Sequence, residues 1–180
     1  MMNAIEKILI SEEELQTKVI ELAKQISSDY KGKNLLVISV LKGGFVFAAD
    51  LFRRLTIPVE IDFMAVSSYG ASSKSSGVVK ILKDLDQPVA GKDVLIAEDI
   101  LDSGVTLNYL KELLIHRGAK SVKICTILNK PDRRVADISP DYLGYNIPDE
   151  FVVGYGLDYA EKYRNLPFVG ILKREIYENN

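Results

Sequence analysis

The chain has 180 residues, of which 47% are hydrophobic and 27% charged, and its formal net charge is −2. This length suits one well-buried domain and is too short for two full domains, and the scattered charges argue against the basic surface of a nucleic-acid-binding protein. A single cysteine excludes an intramolecular disulfide, and no segment is long and apolar enough for a signal peptide or a membrane span. We therefore expect a cytoplasmic protein of one domain, residues 1–180, with no nucleic acid and no membrane among its partners.

The first predicted element is an amphipathic helix. Ser11 and Glu14 have the spacing of a capping box. The apolar residues that follow recur at helical spacing: Leu15, Val19, Leu22, Ala23 and Ile26. The pattern predicts a helix over residues 11–30.

Beyond this helix, short apolar runs rich in β-branched residues alternate with helical patterns. Strands are predicted at residues 35–41, 59–66, 94–97 and 122–128, helices at residues 45–55 and 107–116, and shorter strands at residues 152–155 and 168–172. Such alternation is typical of a parallel sheet covered by helices on both faces. We therefore predict an α/β fold with an open, mostly parallel twisted sheet. The Ser-rich segment at residues 67–77 predicts a mobile loop between two strands.

The most informative segment covers residues 94–106, where a buried strand runs into two carboxylates and then a small-residue loop before a helix. Backbone N–H groups of residues 102–106 can turn toward one anion, with the hydroxyls of Ser103 and Thr106 as further donors and the positive end of the helix behind them. The loop contains no lysine and does not match the phosphate loop of nucleoside triphosphatases. It therefore predicts a seat for a phosphate monoester.

Two acids, Glu98 and Asp99, lie just upstream of this loop. They would repel a phosphate, but they could accept hydrogen bonds from a vicinal diol or hold a hydrated divalent cation. Ribose 5-phosphate satisfies both demands. Ligands of open parallel sheets bind beyond the carboxyl ends of the strands, where residues 41–44 and the Asn129-Lys130-Pro131 segment are also expected.

With these residues assembled, the chain resembles the type I phosphoribosyltransferases and, within them, the hypoxanthine (hypoxanthine-guanine) phosphoribosyltransferases. The resemblance covers nearly the whole chain, and its most specific segment is residues 94–106. Four further motifs follow the family's order: Leu41-Lys42-Gly43-Gly44, Ser68-Tyr69, Lys130-Pro131, and residues 151–159 followed by Tyr163-Arg164-Asn165-Leu166.

The resemblance implies transfer of a 5-phosphoribosyl group from phosphoribosyl diphosphate to N9 of a 6-oxopurine, with Mg²⁺ as cofactor. It assigns the 5-phosphate to Asp102, Ser103, Gly104, Val105 and Thr106. Asp102 would also be the general base beside purine N7. Glu98 and Asp99 would face the ribose hydroxyls and the metal. We expect hypoxanthine to be the preferred base, with guanine close behind.

The remaining site residues are also implied by the resemblance. Purine binding is assigned to Lys130, Phe151, Val152 and Asp158, of which Asp158 would also bind a magnesium ion. Diphosphate binding is assigned to Leu41, Lys42, Gly43, Gly44 and Arg164. Ser68 and Tyr69 would open a lid that excludes water from a cationic centre on the ribose. The family also implies a homodimer or homotetramer, and a small hood formed by residues of about 145–180 with the N-terminus as a candidate addition.

Other readings of the same residues remain open. A receiver-type signalling domain also places paired acids at a strand end, but it does so after its first strand. A nucleic-acid-binding regulator with the same fold should show a basic surface, which the charge distribution does not suggest. Among enzymes of the fold, an adenine-specific or orotate-specific member is the nearest alternative, although a 6-amino group would not accept a hydrogen bond from Lys130. We expect structural roles for His116, at a helix end, and Cys125, within a strand.

Overall fold

The structure is a computed structural model that describes residues 1–68 and 79–178. Its strands are β1 (Ile5–Ile10), β2 (Leu35–Leu41), β3 (Val59–Ser68), β4 (Val79–Lys83), β5 (Asp93–Leu101), β6 (Ser121–Asn129), β7 (Tyr142–Asn146), β8 (Val152–Val153) and β9 (Val169–Leu172). Its α-helices are α1 (Glu12–Asp29), α2 (Phe45–Phe52), α3 (Val105–His116) and α4 (Arg174–Tyr177), and single 3-10 turns cover Met2–Ala4 and Pro131–Arg133. No helix in the described ranges is both long and apolar enough to cross a membrane.

The main sheet has six strands in the order β4-β3-β2-β5-β6-β7. The neighbours from β3 to β7 run parallel, and β4 pairs antiparallel with β3 at one edge. Helices α1 and α2 pack over one hydrophobic cluster on one face of the sheet. Helix α3 packs over a second cluster on the other face. The predicted α/β fold with a mostly parallel sheet is therefore confirmed.

The central strands are apolar along their whole length because both faces of the sheet are covered. Six of the seven residues of β2 are buried. Helix α1 begins where the sequence predicts: the Ser11 side chain accepts from the Glu14 N–H, and Glu14 accepts from the Ser11 N–H at 2.8 Å. A cap of this kind stabilises a helix by about 1 kcal/mol.

A second, three-stranded antiparallel sheet has the order β1-β9-β8. It joins the two ends of the chain, and a separate small core beneath it contains Ile5, Val153, Leu166, Phe168 and Leu172. Strand β8 is an edge strand, so one side of its backbone remains available for a ligand. The single domain with a hood of residues about 145–180 stays a prediction.

Several elements differ from the sequence-based expectation. Strand β5 continues to Leu101 rather than ending at Ala97, because its pairing with β6 extends as far as Asn129. Glu98 and Asp99 consequently lie inside the strand and not in the loop after it. The predicted strand over residues 152–155 stops after Val153, since Gly154 and Tyr155 have φ values of +97° and +51°. Strands β1, β4 and β7 and helix α4 were not predicted.

Candidate active site

The candidate site lies at the carboxyl ends of β2, β5 and β6, which are adjacent and parallel. Three connections leave the sheet here: the Lys42 loop (residues 41–44), the Asp102 loop (residues 102–106) and the brace (residues 130–138). The Lys130 N–H donates to the Leu101 carbonyl at 3.0 Å, which ties the brace to the end of β5. The loops that the sequence placed at one edge of the sheet are thus adjacent in space.

The Asp102 loop turns directly into helix α3. Gly104 is the N-cap residue with a φ of +82°, a conformation that favours glycine. A Cβ atom at this position would come within 2.6 Å of Ile138 and 3.0 Å of the Arg134 side chain. A cavity of about 120 Å³ is lined by residues 100–104 together with Thr106 and Leu107. The loop for which a phosphate seat is predicted therefore lines a recess, at the N-terminal and positive end of a helix.

Asp102 combines partial exposure with a buried carboxylate oxygen. Its Oδ1 atom is buried and makes no hydrogen bond with any described residue. Arg133 Nε lies 3.3 Å from this oxygen, near enough for charge attraction but not aligned as a hydrogen-bond donor. Buried carboxylate oxygens normally have hydrogen-bond partners, so Oδ1 of Asp102 retains an unfilled acceptor position beside the predicted phosphate seat.

Glu98 and Asp99 form a buried acidic pair, with relative exposures of 9% and 7%. Burial, the negative charge of Asp99 and the hydrogen bond from the Asp99 side chain raise the pKa of Glu98 well above its usual value. Burial also raises the pKa of Asp99, against hydrogen bonds from Glu98 and the Ile100 N–H. Burial and mutual repulsion thus favour a proton on this pair, and a bound cation would compete with that proton.

The Lys42 loop packs directly on this acidic pair. The Leu41–Lys42 peptide bond is cis. A Cβ atom on Gly43 would lie 1.9 Å from Asp99 Oδ2, and one on Gly156 would lie 2.1 Å from the Gly43 carbonyl oxygen. Gly156 itself has a φ of +102°. The Gly43 backbone therefore lies between the Asp99 carboxylate and Gly156. A side chain at either glycine would prevent this close approach.

Beside this loop lies an ionic cluster of four residues: Lys42, Asp158, Glu161 and Arg164. Lys42 Nζ donates to Glu161 Oε2 at 2.8 Å, and Arg164 Nη2 lies 2.8 Å from Asp158 Oδ1 and 3.5 Å from Glu161 Oε1. Arg164 Nη1 also donates to the Gly156 carbonyl at 2.8 Å. The hydrogen bond from Lys42 lowers the pKa of Glu161. Both cations assigned to diphosphate binding are thus paired with Glu161.

Lys130 is a buried lysine, with 6% of its surface exposed. Its Nζ donates to the Glu150 carbonyl at 2.7 Å and lies 3.9 Å from the Asp149 carboxylate. Burial lowers the pKa of Lys130, although the negative charges of Asp102 and Asp149 oppose that effect. An ammonium group has three donors, so Lys130 can hold the chain at Glu150 and still donate to a ligand.

Phe151 and Val152 follow directly after Glu150. Phe151 is 37% exposed, and its ring stacks on Tyr177 with centroids 4.9 Å apart and packs edge-on against Tyr159 at 5.7 Å. Val152 is buried in the edge strand β8, where it pairs with Ile171. A planar base could therefore find an aromatic face next to a free strand edge.

The residues described here contain no group of three or more His, Cys, Asp or Glu side chains that could hold a metal ion. The structure therefore does not bring Asp158 into one cluster with Glu98 and Asp99, and the candidate metal ligands fall in two separate places. Magnesium is commonly bound in proteins by one or two carboxylates together with substrate phosphates. The donor set of Glu98 and Asp99 fits that mode of binding.

The predicted lid lies largely outside the described residues. Strand β3 runs to Ser68, whereas Tyr69 and residues 70–77 are not described. Cys125 is buried in β6, and burial raises the pKa of its thiol. His116 lies in the last turn of α3. Both positions agree with the structural roles that the sequence predicts for these residues.

Three residues of the site escaped the sequence analysis: Arg134, Glu161 and Tyr177. Arg134 Nε donates to the Asp102 carbonyl at 2.9 Å, and further donors of Arg134 contact Ile138 and Asn129. The only sequence signal for Arg134 is its place three residues after the Lys130-Pro131 motif, and exposed acids such as Glu161 are too common to single out. Tyr177 belongs to a one-turn helix that periodicity cannot identify.

Comparison with known proteins identifies the family. The model of the phosphoribosyl transferase domain matches residues 9–160. The hypoxanthine-guanine phosphoribosyltransferase of Bacillus subtilis (strain 168) is 58% identical over 179 residues, which are 99% of each chain. A crystal structure of a hypoxanthine phosphoribosyltransferase from Staphylococcus aureus is 50% identical, covers 98% of this chain and 96% of its own, and superposes with a TM-score of 0.95.

A second solved structure, the hypoxanthine-guanine phosphoribosyltransferase hpt-2 from Bacillus anthracis, is 53% identical, with a TM-score of 0.90 over 94% of this chain and 99% of its own. The matches to these relatives extend over nearly the whole chain. The family model covers more than half of the sequence, and full-length relatives are more than 50% identical to it. Both findings identify the same family. The chain belongs to the phosphoribosyltransferase family.

Proposed function

We propose that this protein is a purine-salvage enzyme that transfers the 5-phosphoribosyl group of phosphoribosyl diphosphate to N9 of hypoxanthine, and of guanine. The products are inosine or guanosine monophosphate and diphosphate. The proposal rests on the arrangement of groups at one edge of the sheet. Adjacent strand ends there carry a phosphate-sized recess, an unsatisfied oxygen of Asp102 and the buried Lys130. The names of its full-length relatives support the same activity.

Breaking the bond between ribose and diphosphate develops positive charge on the ribose carbon and negative charge on the leaving group. Cations are therefore useful on the diphosphate side, where Lys42 and Arg164 are proposed to bind, and carboxylates near the ribose, where Glu98 and Asp99 lie. The 5-phosphate would occupy the recess of the Asp102 loop, with donors from Ser103, Thr106 and the backbone. Attack by N9 displaces diphosphate from the ribose carbon.

Asp102 is proposed as the general base. A purine that attacks through N9 must lose a proton, and an acceptor within hydrogen-bond reach of N7 can take or stabilise it. The Oδ1 atom of Asp102 has an unfilled acceptor position beside the phosphate recess. The positively charged side chains of Arg133 and Lys130 lie near this carboxylate.

Lys130 is proposed to select a 6-oxopurine. Its ammonium group keeps donors beyond the one at Glu150, and an exocyclic oxygen accepts such a bond whereas an exocyclic amino group does not. Phe151 would stack on the base, and the free edge of β8 at Val152 would meet the polar edge of the purine. We therefore expect hypoxanthine and guanine as substrates and no reaction with adenine.

Magnesium is proposed to accompany the donor. The acidic pair of Glu98 and Asp99 would hold one ion and the separate carboxylate of Asp158 another, and the bound metal would neutralise charge on the diphosphate. Both acids of the pair could act as ligands because the charge of a bound ion would offset the burial and mutual repulsion that favour a proton on the pair. The fit of these residues to an oxygen-preferring divalent cation supports the proposal.

The subunit arrangement and the location are proposals of the same kind. We infer a homo-oligomer, dimer or tetramer, and the exposed ring of Phe45 directly after the Lys42 loop offers apolar surface near the site for such a contact. Light scattering coupled to size-exclusion chromatography would measure the mass, and a monomer would contradict the inference. The cytoplasmic location stays a prediction from the sequence.

The deciding experiment combines purified protein, magnesium and phosphoribosyl diphosphate with hypoxanthine, guanine, xanthine or adenine, and follows nucleotide formation spectroscopically. We expect inosine and guanosine monophosphate, neither of them formed in the presence of a chelator. No product from any base would contradict the proposal and would favour a regulator that keeps the fold. Salt-sensitive binding of RNA would then be the next measurement.

A further inference from the structure

Arg134 makes an unusual set of contacts for a residue with no assigned role. Its guanidinium donates to three backbone carbonyls and one side-chain amide: Nε to Asp102 O at 2.9 Å, Nη2 to Leu101 O at 3.3 Å, Nη1 to Ile138 O, and Nη2 to Asn129 Oδ1. These acceptors belong to the end of β5, the Asp102 loop, the end of β6 and the brace. One side chain therefore links all the elements that meet at the phosphate recess.

The carbonyls of Leu101, Asp102 and Ser103 all point toward the brace. Leu101 O accepts from the Lys130 N–H at 3.0 Å, and Ser103 O accepts from the N–H groups of Val135 and Ala136 at 2.9 and 3.0 Å. The carbonyl between them, that of Asp102, accepts instead from the Arg134 side chain. The middle peptide of the three is thus oriented by Arg134.

The direction of these carbonyls fixes the direction of the N–H groups. In a planar trans peptide, the C=O of one residue and the N–H of the next point in opposite directions. The N–H groups of Asp102, Ser103 and Gly104 are therefore turned away from the brace. These residues line the recess of about 120 Å³, so the brace presents the loop as a row of donors suited to an anion.

We propose that Arg134 is a positioning residue for the 5-phosphate: it holds the Asp102–Ser103 peptide so that the donors of the Asp102 loop converge on the phosphate monoester. The inference rests on the proposed function. An arginine suits this task because its planar fork can hold several carbonyls at fixed angles, which the single ammonium of lysine cannot do. Arg134 acts through the loop and does not itself meet the phosphate.

The test compares the affinities of inosine monophosphate and inosine, two ligands that differ only in the 5-phosphate. Titration calorimetry on the wild type, Arg134→Gln and Arg134→Lys would measure both affinities. We expect Arg134→Gln to lower the affinity for inosine monophosphate about 10- to 100-fold, the scale on which misplaced binding groups act. The affinity for inosine should stay within about 2-fold of the wild-type value. Arg134→Lys should change affinity in the same direction by less, because it keeps the charge but loses the fork.

Arg117→Gln is a matched control. Like Arg134, Arg117 donates hydrogen bonds through its guanidinium, in this case two to Asp84 at 2.6 and 2.7 Å. It lies, however, at the far end of α3. We expect this variant to lower Tm without changing the ratio of the two affinities. The inference is overturned if Arg134→Lys, or a folded Arg134→Gln, leaves the ratio unchanged or weakens both ligands equally. A wild type that does not distinguish the two ligands would instead overturn the proposed function.

Discussion

The two sides of the candidate site are held together by different kinds of contact. On the base and 5-phosphate side, Lys130 is 6% exposed and the Asp102 loop is fixed by hydrogen bonds to backbone carbonyls. On the diphosphate side, Lys42 and Glu161 form an ion pair whose side chains are 66% and 65% exposed. Exposed ion pairs contribute little to stability and are screened by salt, whereas partly buried hydrogen bonds from a charged donor are screened less.

This difference suits the proposed reaction. The base and the 5-phosphate must be positioned within fractions of an ångström, because the new bond forms between the parts of the site that hold them. The diphosphate must be bound and then released as a product, so tight preorganisation there would slow turnover. The structure thus has rigid contacts where the base and the 5-phosphate are proposed to bind, and weak, exchangeable contacts where the diphosphate is proposed to bind.

The largest effect is expected from the rigid side. Replacing Asp102 with asparagine keeps the shape of the loop but removes the proton acceptor, so kcat should fall by about 10²- to 10⁴-fold, the usual contribution of a general base. Steady-state kinetics with hypoxanthine would measure kcat, and KM for phosphoribosyl diphosphate should change much less. The retained KM would show that Asp102 contributes chemistry in addition to its place in the loop.

Asp86→Asn is the control for this variant, since Asp86 is an exposed acid that pairs with Lys83 at 3.1 Å. Its kcat should equal that of the wild type. A kcat for Asp102→Asn within about 10-fold of the wild type, below the lower limit for a general base, would refute the role of Asp102 and leave the loop as a binding element only.

The second effect tests how far backbone contacts also fix the diphosphate side. Gly156→Ala would place a Cβ atom 2.1 Å from the Gly43 carbonyl oxygen, at a φ of +102°. The Lys42 loop would have to move away, and KM for phosphoribosyl diphosphate should rise by roughly 10- to 100-fold. Calorimetry and steady-state kinetics would separate this change from a loss of stability.

Gly32→Ala provides the comparison, because Gly32 also has a positive φ, +76°, but nothing lies within 4 Å of its added Cβ. It should cost about 1–2 kcal/mol of stability from backbone strain alone and leave the KM unchanged. If Gly156→Ala behaves like Gly32→Ala, the contact between the glycines does not position the Lys42 loop.

The same contrast explains what the sequence could predict. The phosphate recess is built from one continuous segment, and its composition of small and hydroxyl residues is visible in the chain. Lys42 and Glu161 are 119 residues apart and meet only because the Glu161 turn, with positive φ at Ala160 and Glu161, reverses direction there. Contacts at such separation depend on the assembled fold, so neither this pair nor the Arg134 bonds could be predicted.

The acidic pair predicts a third, smaller effect that depends on pH. Burial raises the pKa of Glu98 above its usual 4.5, so the folded state holds a proton that the unfolded state has lost. The contribution of this protonated group to the free energy of unfolding is fully present below pH 4.5. It is lost as the pH rises through the raised pKa, so Tm should fall with increasing pH. Glu98→Gln should remove this dependence and raise Tm at high pH by about 2–4 °C for each kcal/mol regained.

Magnesium should oppose the same decline in wild-type protein, because it binds the pair only after the proton has left. Thermal unfolding at several pH values, with and without Mg²⁺, would measure both effects. Glu60→Gln, which removes an exposed acid on β3, serves as the control and should keep the wild-type dependence. A Glu98→Gln profile that matches the wild type would exclude Glu98 as the group that titrates.

The smallest effect is expected at Glu161, where the substitution should improve binding of the donor rather than weaken it. In the absence of ligand, its carboxylate occupies Lys42 and Arg164, the two cations proposed for the diphosphate, so the donor must displace it. Glu161→Gln should therefore tighten binding of phosphoribosyl diphosphate, by about 2- to 5-fold at low salt as expected for an exposed ion pair. Glu21→Gln breaks a comparable pair with Lys18 on α1 and should have no effect. The gain should diminish as salt screens the pair, and weaker donor binding in Glu161→Gln would mean that Glu161 organises the cations rather than competing for them.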